Sequence, residues 1–245
     1  VTEVLCVRTR RQLQNDVRCV MTMKISRTAM RVGAYGLGML RVTYDPVVQQ
    51  IEVTNRCNLE CPMCPHSEMQ RAKGRIDPMD FAKILDKIEG STEWLGLHHF
   101  GEPLLHPNVD ELVRLAASRG IHVGFSTNAA LLTREKSERL IAAGLRWINL
   151  DLDSMNPRHY EKWRAPARHA SVVDNISSFL DVKRAFSRDT PYVILQMIRF
   201  DENVRERSEF VKRWDRREVN EIRFEKFVTY DQTAKSIGDM VASSS

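Results

Sequence analysis

Residues 121–152 read IHVGFSTNAALLTREKSERLIAAGLRWINLDL. Ile121–Ser126 has the short, half-apolar pattern of a strand. Thr133 stands where a helix N-cap belongs, the stretch to Ala143 has helical spacing, and Gly144 ends it. Trp147–Leu152 opens a second strand. Strand, helix and strand in so short a span make a βαβ unit, which joins parallel neighbours.

The same alternation runs outward on both sides. Strands are expected at Gln49–Thr54, Leu95–Phe100, Tyr192–Ile198 and Glu221–Phe227. Helices are expected at Met79–Glu89, behind an Asp77 cap and Pro78, and at Asn108–Ser118, closed by Gly120. Further helices fall at Arg158–Trp163, Val172–Phe186 and Glu202–Trp214. Six strand–helix repeats predict an α/β fold, a partial (β/α)6 barrel over residues 47–227. Residues 1–46 read as a basic, helical N-terminal extension, and 228–245 as a tail or the start of a further domain.

The chain has 245 residues, 42% of them hydrophobic and 28% charged, as in an ordinary globular protein. No apolar run approaches the ~20 residues of a membrane span, and no signal-peptide core opens the chain, so a cytoplasmic protein without membrane contact is expected. The net charge of +5 arises in residues 1–45, where eight Lys and Arg face three acids; beyond them the charges cancel. That density suits a solvated helical face better than a nucleic-acid patch.

Three of the five cysteines sit together in Asn55–Pro65, NRCNLECPMCP: Cys57, Cys61 and Cys64, spaced Cys-x3-Cys-x2-Cys. Three thiolates on one loop can hold three irons of a 4Fe–4S cube and leave the fourth open to a ligand that is not protein. Zinc is the alternative, with His66 as a fourth ligand, but no second ligand pair follows. No cysteine follows Cys64, and Cys6 and Cys19 read as inert thiols.

Other polar features fall at the carboxyl ends of the expected strands, where sites in parallel α/β sheets lie. Gly101-Glu102-Pro103 follows the second strand, Ser126-Thr-Asn128 closes the third, Asp151 and Asp153 close the fourth, and Gln196 lies on the fifth. His98 and His99 alternate on the second, the inward one reading as a core residue.

Over residues 48–227 these motifs resemble the radical S-adenosylmethionine (SAM) enzymes. Gly101-Glu102-Pro103 is similar to the family's Gly-Gly-Glu motif, with Phe100 in place of the first glycine, and GEPLLHP, STNAALLT and NLDLDSMNPRHYEKWR look most like its SPASM/twitch branch. The resemblance implies a 4Fe–4S cluster on Cys57, Cys61 and Cys64. It implies SAM contacts from Gly101 and Glu102 (methionine amine), Ser126 and Asn128 (ribose), Arg164 (carboxylate) and Gln196. Asp151 and Asp153 become candidate catalytic groups, though Asp153 also suits a helix cap and Arg164 a surface ion pair.

The implied reaction is reductive cleavage of SAM to a 5′-deoxyadenosyl radical, which abstracts hydrogen from a substrate. Epimerisation, dehydrogenation and rearrangement are all open outcomes. Typical members of that branch carry auxiliary clusters on later cysteines, which this chain lacks. A carbohydrate-type natural product is the favoured substrate and a peptide the alternative, with a flavodoxin or ferredoxin as reductase. A zinc-stabilised nucleic-acid-binding module is the rival from another class.

Overall fold

The computed structural model describes residues 5–7, 33–39, 45–187 and 189–227. Seven strands form one sheet: β1 (Leu5–Val7), β2 (Val48–Gln50), β3 (Trp94–Gly96), β4 (His122–Thr127), β5 (Trp147–Asp151), β6 (Tyr192–Arg199) and β7 (Glu221–Lys226). The order is β1-β7-β6-β5-β4-β3-β2. From β2 to β7 every neighbour is parallel and sequential. Helices make the crossovers: α1 (Pro78–Ile88), α2 (Val109–Ala117), α3 (Arg134–Ala142), α4 (Pro157–Trp163), α5 (His169–Ala185) and α6 (Arg207–Trp214). This is the expected α/β partial barrel.

The N-terminal expectation is corrected at one point. Leu5–Val7 is a strand, laid antiparallel along β7 with Cys6 opposite Arg223. Residues 33–36 are helical. Cys19 and the tail 228–245 lie outside the described residues. Among the described residues no helix is long and apolar enough to cross a membrane.

Local signals set the helix starts. Asp77 accepts from the Met79 N–H at 2.8 Å, with Pro78 at the first position, and Thr133 accepts from Lys136 N–H. Gly120 and Gly144 follow α2 and α3 with φ of 76° and 96°, the left-handed region where glycine is favoured.

The first two strands are shorter than their sequence patterns. After Gln50 the chain peels away from β3 and pairs with the segment before α1: Ile76 N–H donates to Val53 O, and Asn55 N–H to Gly74 O. The Glu52 carboxylate accepts from the Phe100 and Gly101 N–H groups. A polar side chain thereby ties the turn that ends β3, and LGLHHF stops being a strand at Gly96. The helix expected from Glu202 splits into a 3-10 turn, Val204–Glu206, and α6.

Period-two alternation gives the strands two different faces. Phe125, Ile148, Leu150, Val193 and Leu195 join Phe81, Leu112, Ile176, Phe179 and Phe210 of the helices in the main core. The residues between them face the opposite way, into the site.

Candidate active site

The strand ends open on one cavity of about 540 Å³. Its wall includes Cys57, Cys61, Cys64, Gly101, Glu102, Ser126, Asn128, Asp151, Arg164 and Gln196. These are all the site residues expected from the sequence except Asp153. Six loops and strands separated by up to 139 positions in the chain thus meet in one place.

The cysteines lie on the loop between β2 and α1, free and half-buried. The loop is held by Cys64 N–H to Cys61 O (3.0 Å) and Glu60 N–H to Ala165 O (2.7 Å). Burial pushes the Cys61 thiol up to about 11, against the pull of Arg164, and raises Cys57 as well. Such thiols ionise when a metal coordinates them. His66 does not line the cavity, and its Nε2 sits 2.9 Å from the Asn55 carbonyl and 3.0 Å from Lys73 Nζ. Among the described residues no three His, Cys, Asp or Glu side chains group around one metal ion. Three soft thiols on one loop lining one cavity fit an iron–sulfur cluster that keeps an open position.

Glu102 is 3% exposed, not an open loop acid. Its carboxylate accepts from Thr127 Oγ1 (2.7 Å), Leu104 N–H (3.0 Å) and Asn128 N–H (3.0 Å). One buried acid therefore joins the β3 turn to the end of β4. Burial raises its pKa while those three donors pull the other way. Gly101 is required by packing: a Cβ there would lie 1.9 Å from the Thr54 carbonyl oxygen.

Asn128 donates to Asn58 Oδ1 at 3.0 Å and accepts from Ala130 N–H. Between them Ala129 takes a left-handed φ of 57°, a conformation that costs a non-glycine residue about 1 kcal/mol or more. Asn175 of α5 holds that turn by donating to the Ala129 and Ala130 carbonyls.

Arg164 is 8% exposed, which corrects the surface-ion-pair alternative. Its Nε lies 2.5 Å from Asp153 Oδ2 and its Nη1 3.6 Å from Asp151 Oδ2. Burial alone would lower its pKa, but the two aspartates outweigh that and hold it cationic. Asp153 is 1% exposed and also accepts from Ile198 N–H at 2.8 Å. It faces Arg164 rather than the cavity, and it caps no helix; Asn156 caps α4 by accepting from Arg158 N–H. Asp151 does line the cavity. Burial pushes its carboxyl up to about 7 despite Arg164, with Asp153 and Glu102 adding repulsion.

Four wall residues escaped the sequence expectations. Thr127 joins the Glu102 network. Asn149 donates toward Ser126 Oγ, Asp151 Oδ1 and Gln196 Oε1. Trp147 and His98 meet edge to face, ring centroids 5.7 Å apart. The indole lies over Gly124, where a Cβ would be 2.1 Å from Trp147 O, and the imidazole lies over Gly96. Gly96, Gly124 and Trp147 occupy one register row, so two glycines clear the space for two rings. Burial pushes His98 down to about 4, so it is neutral. Period-two spacing from Asp151 could have flagged Asn149 and Trp147; nothing local could have flagged the paired glycines.

Comparison with known proteins places this geometry. A 106-residue stretch is 38% identical to the tungsten-containing aldehyde ferredoxin oxidoreductase cofactor-modifying protein of Pyrococcus furiosus, covering 42% of this chain and 30% of that one. A GTP 3′,8-cyclase of Chlorobaculum tepidum is 37% identical over 44% of this chain and 33% of its own length. The PqqA peptide cyclase of Bradyrhizobium diazoefficiens is 30% identical over 45% and 29%. The chain thus spans about a third of the length of the curated relatives it matches. Among solved structures, anSMEcpe with bound AdoMet superposes at a TM-score of 0.62 and 15% identity, over 78% of this chain and 53% of that one. Residues 51–213 match the Radical SAM superfamily model, and the chain belongs to that family.

Proposed function

We propose that this protein reductively cleaves SAM and directs the resulting radical at a hydroxyl-rich, carbohydrate-type natural product, as a member of the SPASM/twitch-like branch. The observation that carries this is the meeting of Cys57, Cys61 and Cys64 with Glu102, Asn128 and Arg164 around one cavity at the strand ends. Enzymes of the family use a 4Fe–4S cluster and SAM, and once bound these supply one-electron cleavage to methionine and a 5′-deoxyadenosyl radical.

The chain's own residues bind, orient and exclude water. Cys57, Cys61 and Cys64 hold the cluster. Gly101 and Glu102 offer a carbonyl edge and an acid to the methionine amine, while Arg164, kept cationic by Asp153, faces the carboxylate. Ser126, Asn128 and Gln196 offer short donor–acceptor groups to the nucleoside. Asp151, poised near neutrality, is the wall's candidate for moving a proton. Asp153 acts through Arg164 and is a positioning residue. Met63, Trp163 and Phe200 pack as an apolar cluster beside Cys61 and keep water from that side.

His98 and Asn149 add neutral polar groups to a wall that also carries Asp151, Arg223, Glu225 and Lys226, a mixture of donors and acceptors that supports a hydroxyl-bearing substrate. A peptide substrate is the second reading, supported by the similarity to PqqA peptide cyclase. A flavodoxin or ferredoxin would supply the electron, in the cytoplasm. The test is anaerobic reconstitution with iron and sulfide, then dithionite and SAM, with 5′-deoxyadenosine read by mass spectrometry. Brown protein that forms 5′-deoxyadenosine supports the proposal. Protein that binds zinc, stays colourless and forms none refutes it.

A further inference from the structure

Lys136 stands at the third position of α3, where Thr133 caps the helix by accepting from the Lys136 N–H. The first turn of a helix favours acids over cations, and the third position favours Glu or Gln. A lysine there works against the helix that carries it. Arg134, the other cation of that turn, stays at the surface and pairs with Glu138 one turn on. Lys136 is half-buried instead. A residue that opposes its own helix points to a task elsewhere.

The task shows at the tip of the side chain. Lys136 Nζ donates to the Leu104 carbonyl at 3.0 Å. Leu104 is 2% exposed and lies in the 3-10 turn Pro103–Leu105, directly after Glu102. Its N–H donates in turn to the Glu102 carboxylate, also at 3.0 Å. One residue thus links a cation on an outer helix to the buried acid on the cavity wall. The charge acts in the same sense. Burial raises the Glu102 pKa, the Asn128, Leu104 and Thr127 donors lower it, and Lys136 adds a positive charge that pulls with them.

We propose that Lys136 is a positioning residue for the methionine end of SAM: from α3 it fastens the Leu104 turn that holds Glu102, and it sets a cation behind that acid. This rests on the function proposed above, in which Glu102 faces the methionine amine. Lys136 itself does not line the cavity, so it acts through Glu102.

The experiment measures binding of SAM, free methionine and 5′-methylthioadenosine to the reconstituted protein by anaerobic equilibrium dialysis. It compares the native chain with Lys136→Gln, Lys136→Arg and Lys136→Glu. Methylthioadenosine keeps the adenosyl group and lacks the amine, so it is the internal control. Lys136→Gln is expected to weaken SAM and methionine about tenfold, through the lost charge-assisted hydrogen bond, and to leave methylthioadenosine within about twofold. Lys136→Arg keeps a charge and donors, and should bring SAM back to within about threefold of native. Lys136→Glu suits the helix position but sets a second carboxylate behind Glu102, and should weaken methionine further than the glutamine does. A merely structural role would weaken all three ligands alike.

SAM and methionine affinities within about twofold of native in both Lys136→Gln and Lys136→Glu would overturn the proposal. Equal weakening of methionine and methylthioadenosine would overturn it too, as a general loosening of the wall. So would an arginine variant that binds SAM no better than the glutamine variant. If Lys136→Gln does not fold, the same split between the two probes is read in Lys136→Glu. Native protein that binds no SAM would refute the proposed function instead, a result distinct from these.

Discussion

The two walls of the cavity are built differently. On the β2–β4 side the polar groups are engaged with one another: Glu102 is met by three donors, Asn128 is bonded on both atoms of its amide, and Glu52 grips the β3 turn. On the β4–β6 side two buried polar atoms have no partner, Trp147 Nε1 and Asn149 Oδ1, and on the first side His98 Nδ1 has none. The first wall is bonded mostly within itself, and the second leaves buried polar atoms of two residues without a partner.

The largest effect that would break this contrast is at the cysteines. Changing Cys57, Cys61 or Cys64 to Ala removes one of the three thiols proposed to hold the cluster, and His66 does not line that cavity. Loss of the brown colour, of bound iron and of all 5′-deoxyadenosine is expected. A variant that still cleaved SAM would overturn the assignment of that cysteine.

Next comes the Arg164 anchor. Asp153→Ala leaves a guanidinium buried with only the looser Asp151 partner at 3.6 Å. Breaking such a pair costs about 3–5 kcal/mol, measurable as a fall in the urea midpoint of the cluster-free protein. A change below about 1 kcal/mol would mean that Arg164 reaches solvent.

Glu102→Ala is the smaller test of the same wall. It strands the Leu104 and Asn128 N–H groups and the Thr127 hydroxyl, but the cavity lets water replace some of those bonds. About 1–3 kcal/mol is expected in the same unfolding assay. No loss of stability would show that the acid serves the cofactor alone.

Much of the first wall was legible in the sequence, because it is made of contiguous motifs at strand ends: the cysteine run, Gly101–Pro103 and Ser126–Asn128. Order and direction of the six parallel strands were legible for a similar reason, since Asp77 and Thr133 cap α1 and α3, and Gly120 and Gly144 end α2 and α3. The second wall was not. Trp147 and His98 find room only over Gly124 and Gly96 on neighbouring strands, and Asn149 draws partners from β4 and β6, juxtapositions created by register. The early end of β2 was hidden as well, because the pull on it comes from Gly74–Ile76, more than twenty residues on. Asp153 was misplaced by one turn of logic: alternation puts Asp151 and Asp153 on the same face only while the strand lasts, and β5 ends at Asp151.

Asp151→Asn tests the second wall through the sign of its effect. Burial holds the folded-state pKa near 7, against an ordinary value of 3.8. Between those values the folded chain binds the proton and the unfolded chain has released it. Stability contributed by this group therefore falls as the pH rises from about 4 through 7. An asparagine removes that dependence, because it never ionises. Melting temperatures of the native protein and of Asp151→Asn should converge below about pH 4 and separate as the pH rises through 7, with the variant the more stable there. The Arg164 pairing opposes this by favouring the ionised form, so the two melts measure which influence wins at the wall. A native protein that gains on the variant with rising pH would show that Arg164 dominates and that the ionised carboxylate is the favoured form of Asp151 at the wall.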